Sequence, residues 1–166
     1  MKAETKVTVR YAETDQMGIV HHSNYAVWYE IGRSDYIKLL GTSYSEMEKA
    51  GIMTPLLNLS CHFGLPAYYE DDLVIYTSVS SITAARIVFA YTVSRVEKDG
   101  SMTELGYGST EHAFVDAQTF RPCNIKKRMP DLYEKIKQRD VASSREPRQS
   151  PRADSSAQNQ TTVARK

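Results

Sequence analysis

One acidic residue and two histidines lie close together near the start of the chain, on a segment whose residue types could do chemistry. Asp15 comes three residues before Gly18, and His21 and His22 stand directly before a stretch with helical periodicity. The first turn of a helix presents unpaired backbone N–H groups and a partial positive charge. A carboxylate just upstream of such a turn can attack a carbonyl group whose oxygen the helix amides polarise. The spacing therefore indicates a site for chemistry at a carbonyl carbon.

Each of these residues also has a purely structural interpretation. Asp15 is of a type that often bonds its own backbone in a turn, and spacing alone favours that role. His22 could act through its backbone N–H, as a donor to an oxyanion, or through an imidazole that positions water or substrate. Tyr11 is either a half-buried aromatic or a phenol that lines the pocket or bonds the carboxylate. Asp15, His21 and His22 match no usual set of metal ligands, so no metal site is predicted.

The elements that must position these residues are a strand, a polar loop and one long helix. Residues 6–11 alternate between apolar and polar types, which predicts a strand. A loop follows, and Ser23 or Asn24 is expected to cap the helix. The helix should end at Gly41, while Gly32 in its middle predicts a close approach by another backbone. The side chains expected on its buried face are Tyr25, Trp28, Tyr29, Tyr36, Leu39 and Leu40.

The remaining patterns predict a sheet. The expected strands cover residues 57–65, 73–82, 86–97 and 102–116. Gly106 and Gly108 indicate a bulge or bend in the last strand, and Pro130 is expected to open a short final helix over residues 131–137. One long helix and five mostly antiparallel strands predict an α+β domain whose sheet wraps around the helix. The open sheet edge favours dimerisation.

Composition narrows the classes of protein further. The chain has 166 residues, which predicts one domain, and a formal net charge of +1, which gives no reason to expect nucleic acid. Two cysteines without metal-type spacing support neither a disulfide framework nor a zinc ribbon. The first residues lack an apolar signal core and no run reaches membrane-spanning length, so a cytoplasmic protein without membrane insertion is expected. Residues 139–166 carry a net charge of +3 and few apolar groups, which predicts a disordered basic tail after a folded domain of residues 1–138.

A longer motif resembles a known family. The segment YAETDQMGIVHHSNY, residues 11–25, resembles the signature of the hydroxybenzoyl-CoA thioesterase family of hotdog-fold proteins. In that signature an Asp is followed by a small residue three positions later, an aliphatic pair, an aromatic or His pair, and Asn-Tyr. The resemblance is nearest to a branch of short bacterial acyl-CoA thioesterases that includes the one associated with the Tol–Pal system. The segment PAYYEDDL, residues 66–73, is similar to the family's loop into its third strand, and the resemblance covers roughly residues 4–137.

The resemblance implies a hotdog fold, an acyl-CoA substrate and a role for each candidate residue. Asp15 falls on the catalytic carboxylate, which would act as nucleophile or as general base. His22 falls on the position whose N–H polarises the thioester carbonyl, and Tyr11 on a tyrosine of the site. The candidate substrate-binding residues are Met17, Gly18, Ile19 and Tyr25, and the candidates for the CoA phosphates are Arg86, Lys126, Lys127 and Arg128. No cofactor is implied, and the family forms homodimers or homotetramers with the site at a subunit interface.

Two other functions compete with hydrolysis. One is a non-catalytic acyl-CoA-binding module whose basic tail recruits a partner. Asp15 argues against it, because a carboxylate that faces a thioester adds nothing obvious to binding. The other is a hotdog dehydratase or hydratase, and such enzymes place their acid and histidine differently relative to the helix.

Overall fold

The computed structural model describes residues 2–143, and for residues 139–143 it describes the backbone helix alone. A 3₁₀ turn, Tyr11–Glu13, follows the first strand. The other elements are, in chain order, β1 (Ala3–Thr8), α1 (Ser23–Leu39), α2 (Tyr44–Lys49), β2 (Ile52–Met53), β3 (Leu56–Phe63), β4 (Asp72–Ile82), β5 (Arg86–Val96), β6 (Met102–Ala113), β7 (Val115–Asp116), α3 (Ile125–Arg128) and α4 (Pro130–Ser143).

The long strands form one antiparallel sheet in the order β1-β4-β5-β6-β3, which packs against α1 and confirms the predicted α+β hotdog architecture. The short strands β2 and β7 pair separately. The inner face of β5 contributes Phe89 and Tyr91 to the core. Next to Gly106 the register between β5 and β6 shifts, and a side chain there or at Gly108 would overlap carbonyl oxygens of β3. The predicted irregularity at these glycines is therefore confirmed.

Helix α1 buries an aromatic face against the sheet. Its buried side chains are Tyr25, Trp28, Tyr29, Tyr36 and Ile37. Tyr29 stacks on Tyr91 of β5, with ring centroids 4.2 Å apart. The predicted face is confirmed except at Leu39, which is exposed and whose expected place Ile37 takes. Residues two apart on a helix point in nearly opposite directions, so these two positions cannot share one face.

The middle of α1 lies directly on β4. A side chain at Gly32 would overlap the Thr77 hydroxyl and come within 3.3 Å of Ile75 Cγ2. The predicted close approach is confirmed, although side chains rather than a backbone make it. Gly41 ends the helix as predicted, in a left-handed conformation with φ of +82°.

Strand β3 is the edge of the sheet, and it is far more exposed than its alternating pattern suggests. Leu59 and Phe63 lie on the strand face that points toward the helix layer, yet both are exposed in one chain. The reason is that α1 lies mainly on β1, β4 and β5 and reaches this edge only through side chains such as Tyr25, which meets Phe63, and Tyr29, whose hydroxyl lies 3.2 Å from Cys61 Sγ. The described part of the chain therefore covers Leu59 and Phe63 only in part.

Several predicted boundaries differ from the structure, and the strand predicted over residues 102–116 divides into β6 and the separate short strand β7. The first strand ends at Thr8 rather than residue 11, because residues 11–13 form the 3₁₀ turn. Strand β3 stops at Phe63, where Gly64 and Leu65 both donate their N–H groups to the Leu105 carbonyl. Helix α4 runs to Ser143, beyond the predicted domain end at residue 138, and the rest of the predicted tail, residues 144–166, lies outside the described residues. No helix within residues 2–143 is both long and apolar enough to span a membrane.

Candidate active site

Asp15 lies in a tight loop whose base is held by backbone hydrogen bonds. The His21 N–H donates to the Glu13 carbonyl at 2.8 Å, and the Asp15 N–H donates to the Ile19 carbonyl at 3.0 Å. Inside the loop, Asp15 Oδ1 accepts the Met17 N–H at 2.8 Å, and Gly18 adopts a φ of +75°. The turn-forming role of Asp15 is therefore real, but it uses one carboxylate oxygen. Asp15 Oδ2 has no hydrogen bond to any described residue.

The N-cap residue of α1 makes no side-chain capping hydrogen bond, although His21 Nδ1 accepts the Ser23 N–H at 3.4 Å. His22 is the N-cap residue, and neither predicted cap fills that role. The Ser23 hydroxyl shares a hydrogen bond with His21 Nδ1 at 2.8 Å, while the Asn24 amide donates to the Glu13 carbonyl at 2.9 Å. Within residues 2–143 the His22 N–H finds no acceptor. An unpaired N–H at a helix start is available to bind an anionic oxygen.

A pocket of about 350 Å³ brings the carboxylate and the helix start together. Its lining residues are Asp15, Met17, Ile19, Val20, His22, Tyr25, Phe63, Gly64, Leu65, Pro66 and Ala67. Asp15, His22 and the Tyr25 phenol are the titratable groups of a lining that is otherwise mostly apolar. The Phe63 ring meets Tyr25 edge to face, with centroids 5.0 Å apart, and lies 6.4 Å from the His22 ring. Burial, followed by the nearby Cys61 thiol, raises the pKa of Tyr25 to about 12, so this phenol stays neutral.

The structure thus joins five of the predicted site residues in one pocket and leaves two outside its lining. Asp15, His22, Met17, Ile19 and Tyr25 line the pocket. Gly18 shapes the loop without lining it.

Tyr11 occupies the 3₁₀ turn, not a strand end, and 76% of its surface is exposed. Its ring packs edge to face on Tyr69 at 5.7 Å, and neither tyrosine lines the pocket. The half-buried position expected for Tyr11 is wrong, because the turn points the residue out of the sheet.

The sequence patterns did not identify the residues that form the opposite wall of the pocket. Phe63 ends β3, and residues 64–67 continue from it as loop. The sequence pattern assigned Phe63 and Leu65 to a strand. Pro66 and Ala67 belong to the loop segment that resembles the family, but their side chains carry no reactive group that would mark them as part of a site. Glu13 was missed as well: its carboxylate is buried two residues before Asp15, with 3% of its surface exposed. Its place between Tyr11 and Asp15 offered only a weak signal, since buried acids are rare.

The predicted phosphate-binding residues lie elsewhere, and most already have partners. Arg86 pairs with Glu111 at 2.8 Å and Arg128 with Asp116 at 2.6 Å. The Lys126 ammonium lies 4.8 Å from the centroid of the Tyr133 ring. Lys127 and Arg128 line a second pocket of about 500 Å³ beside β7, separate from the first. Across residues 2–143 no cluster of three potential metal ligands occurs.

Comparison with known proteins agrees with this geometry. The chain matches the thioesterase-like superfamily over residues 9–138. It is 36% identical over 138 residues to YneP of Bacillus subtilis (strain 168), described as a candidate acyl-CoA thioesterase, across 81% of this chain and 97% of that protein. It is 25% identical over 132 residues to the acyl-CoA thioesterase YbgC of Haemophilus influenzae, across 79% of this chain and 93% of YbgC.

A solved structure supports the same assignment. The DHNA-CoA thioesterase of Staphylococcus aureus superimposes with a TM-score of 0.79 at 33% identity, covering 86% of this chain and 93% of that one. The matched family segment contains the whole Asp15 loop, the start of α1 and the opposite pocket wall. The chain belongs to the thioesterase-like superfamily and has its hotdog fold.

Proposed function

We propose that this protein hydrolyses the thioester of an acyl-CoA to a free acid and CoA. One observation carries the proposal: a carboxylate oxygen of Asp15 and the N–H of His22, both without partners in the described chain, belong to residues that line one largely apolar pocket. The names of YneP, YbgC and the S. aureus enzyme support the substrate class. An apolar pocket with a few convergent polar groups is also the usual form of a small-molecule site.

The chemistry needs few groups because a thiolate leaves readily. In one route Asp15 takes a proton from water, and the resulting hydroxide adds to the thioester carbon. In the other route Asp15 adds to that carbon itself, and water then hydrolyses the anhydride. In both routes the carbonyl oxygen becomes an oxyanion that the His22 N–H stabilises, and the C–S bond breaks to release CoA thiolate. The thiolate takes up a proton from solvent.

The pocket supports an apolar acyl group. Ile19, Val20 and Leu65 offer aliphatic surface, and the Tyr25 and Phe63 rings offer flat aromatic walls. Its volume of about 350 Å³ lies at the lower end of small-molecule sites, which run from roughly 300 Å³ upward. The thioester would lie at the polar end, between Asp15 and His22.

The working unit in this proposal is at least a homodimer. Strand β3 presents an open edge, and its inward apolar residues Leu59 and Phe63 are exposed. On α1, Val27 and Ile31 are exposed as well. A second copy paired edge to edge with β3 would cover these surfaces and close the pocket beside Phe63.

A thiol-release assay tests the proposed activity. Short, long and aromatic acyl-CoAs are compared by kcat/KM, with the Asp15→Asn variant as the matched control. Hydrolysis requires release by the wild-type protein well above that of the variant for at least one substrate. Binding of acyl-CoA without release by either protein would instead establish the acyl-CoA-binding module.

A further inference from the structure

Glu13 stands out as a buried carboxylate beside the site. Among residues 2–138 it is the only Asp or Glu that is buried, with 3% of its surface exposed. Its Oε2 accepts the Arg10 backbone N–H at 2.8 Å. Its Oε1 accepts the Arg10 guanidinium at 3.1 Å and the Trp28 indole N–H at 3.2 Å. Removing a carboxylate from water costs free energy, so a buried acid is stable only when fixed hydrogen-bond partners surround it.

The backbone of Glu13 makes a second set of contacts. Together with the side-chain contacts they form what we call the Glu13 junction. Its carbonyl accepts the His21 N–H at 2.8 Å and the Asn24 side-chain amide at 2.9 Å. Glu13 therefore ties together the segment that follows β1, the residue before the N-cap and the first two turns of α1. The side chain anchors Glu13 on the helix through Trp28, and the backbone anchors the loop on Glu13.

The positions of Asp15 and His22 both follow from this junction. The hydrogen bond from His21 to Glu13 closes the base of the loop that carries Asp15, two residues beyond Glu13. His22 is the next residue after His21 and begins α1. A rotation of Glu13 about the loop base would thus change the separation of the Asp15 carboxylate and the His22 N–H. Reacting groups must be held to within a fraction of an ångström for full rate.

The contacts in the Glu13 junction favour the ionised form of the Glu13 carboxyl group over the neutral form. Burial by itself raises the pKa of the Glu13 carboxyl, but hydrogen bonds from Arg10 and Trp28 outweigh it and lower that pKa. Both oxygens face N–H donors, and an ionised carboxylate accepts at both. A glutamine would turn its own NH₂ group toward either Trp28 or the Arg10 N–H, and one pair of donors would then face each other.

We propose that Glu13 is a positioning residue for hydrolysis, which sets the geometry between the Asp15 carboxylate and the His22 N–H through Trp28 and the base of the loop. This role rests on the proposed function of Asp15 and His22. It does not require Glu13 to touch substrate, and Glu13 is absent from the pocket lining.

The test compares Glu13→Gln, Trp28→Phe and the double variant, each assayed below its melting temperature with the folded fraction measured by circular dichroism. For Glu13→Gln we expect kcat per folded molecule to fall about 10- to 100-fold with KM within a few-fold. Trp28→Phe removes the indole donor and should lower kcat in the same way. The double variant should lose much less than the product of the two single losses, because both changes break one junction.

Ile37→Ala is the control for a purely structural role. Ile37 is buried near the far end of α1, so this change destabilises the fold without touching the junction. Its kcat per folded molecule should equal that of the wild type. A folded Glu13→Gln variant with wild-type kcat would overturn the positioning role. If that variant does not fold, Trp28→Phe decides: wild-type kcat in folded Trp28→Phe overturns the role equally.

Asp15→Asn, measured in parallel, separates this proposal from the function on which it rests. An Asp15→Asn variant with nearly full activity overturns the proposed function whatever Glu13 does. An inactive Asp15→Asn variant beside a fully active Glu13→Gln variant overturns only the positioning role.

Discussion

Asp15 accepts the backbone N–H of Met17 at 2.8 Å through one carboxylate oxygen, while the same side chain lines the pocket. Turn formation and catalysis are therefore not competing roles for this residue. The first oxygen fixes the side chain, and the second is left for chemistry. An asparagine can make the same turn, since its carbonyl oxygen accepts the Met17 N–H as well.

Asp15→Asn should consequently keep the fold and remove the reactive charge. We expect kcat to fall about 10²- to 10⁴-fold, the usual contribution of a positioned acid or base, with acyl-CoA still bound. Thiol release and isothermal titration with the same acyl-CoA measure the two effects. Near-normal turnover by a folded Asp15→Asn protein would contradict a mechanism in which Asp15 is the nucleophile or general base.

The N–H and the ring of His22 can be separated by two substitutions. His22→Ala keeps the N–H and removes the imidazole, and we expect a moderate loss of kcat. His22→Pro also removes the N–H, and the φ of −55° at this N-cap is compatible with proline. We expect His22→Pro to lose roughly a further 10²- to 10³-fold, as for other single oxyanion donors. Equal kcat values for the two folded variants would assign the effect to the ring alone.

A charge on the inward face of β3 should break the proposed dimer. Leu59→Lys places an ammonium group on the exposed apolar face, whereas Asn58→Lys places the same group on the opposite face of the strand. Light scattering should show a loss of dimer for Leu59→Lys only, with turnover lost in parallel. An active monomer at assay concentration would contradict the proposed interface.

Gly32→Ala should destabilise the fold although alanine favours helices. The new methyl group would overlap the Thr77 hydroxyl, and such overpacking costs about 1–3 kcal/mol of unfolding free energy. Thr77→Ala should restore part of the loss, because it removes the overlapping oxygen, a buried atom with no hydrogen-bond partner among the described residues. Thr77→Ser keeps the oxygen and is the matched control. Urea unfolding of the single and double variants measures the recovery, and equal recovery by serine would contradict this account.

Asp116 should make stability depend on acid pH. Hydrogen bonds from the Thr119 backbone and the Arg128 guanidinium hold the pKa of its carboxyl far below the ordinary value. A lowered folded-state pKa stabilises the protein above the unfolded-state value, and this stabilisation is lost as pH falls below about 4. The unfolding free energy of wild type should therefore exceed that of Asp116→Asn at pH 7, with the gap narrowing toward pH 3. Glu48→Gln, which changes an exposed acid on α2, is the matched control, and a wild-type gap of the same size and pH dependence for both variants would contradict this account.

The local pattern of the sequence was enough to find the Asp15 loop and the helix start, which form one half of the candidate site. Asp15, Gly18 and His22 lie within eight consecutive residues, so the turn, the left-handed glycine and the helix start are encoded by neighbouring side chains. The buried face of α1 followed from helical periodicity, which fixes directions around an axis without reference to the rest of the fold. For the same reason Gly32 could be identified as a point of close approach, although its partner could not.

Only the tertiary structure decided which distant residues meet. Alternation put Leu59 and Phe63 on one face of β3, but how far α1 covers that face depends on the order of strands in the sheet. The second pocket wall, and the contact between Glu13 and Trp28 across fifteen residues, likewise arise from how α1 lies on the sheet. Spacing encodes the direction of a side chain along its own element, whereas burial is a property of the surfaces that packing brings together.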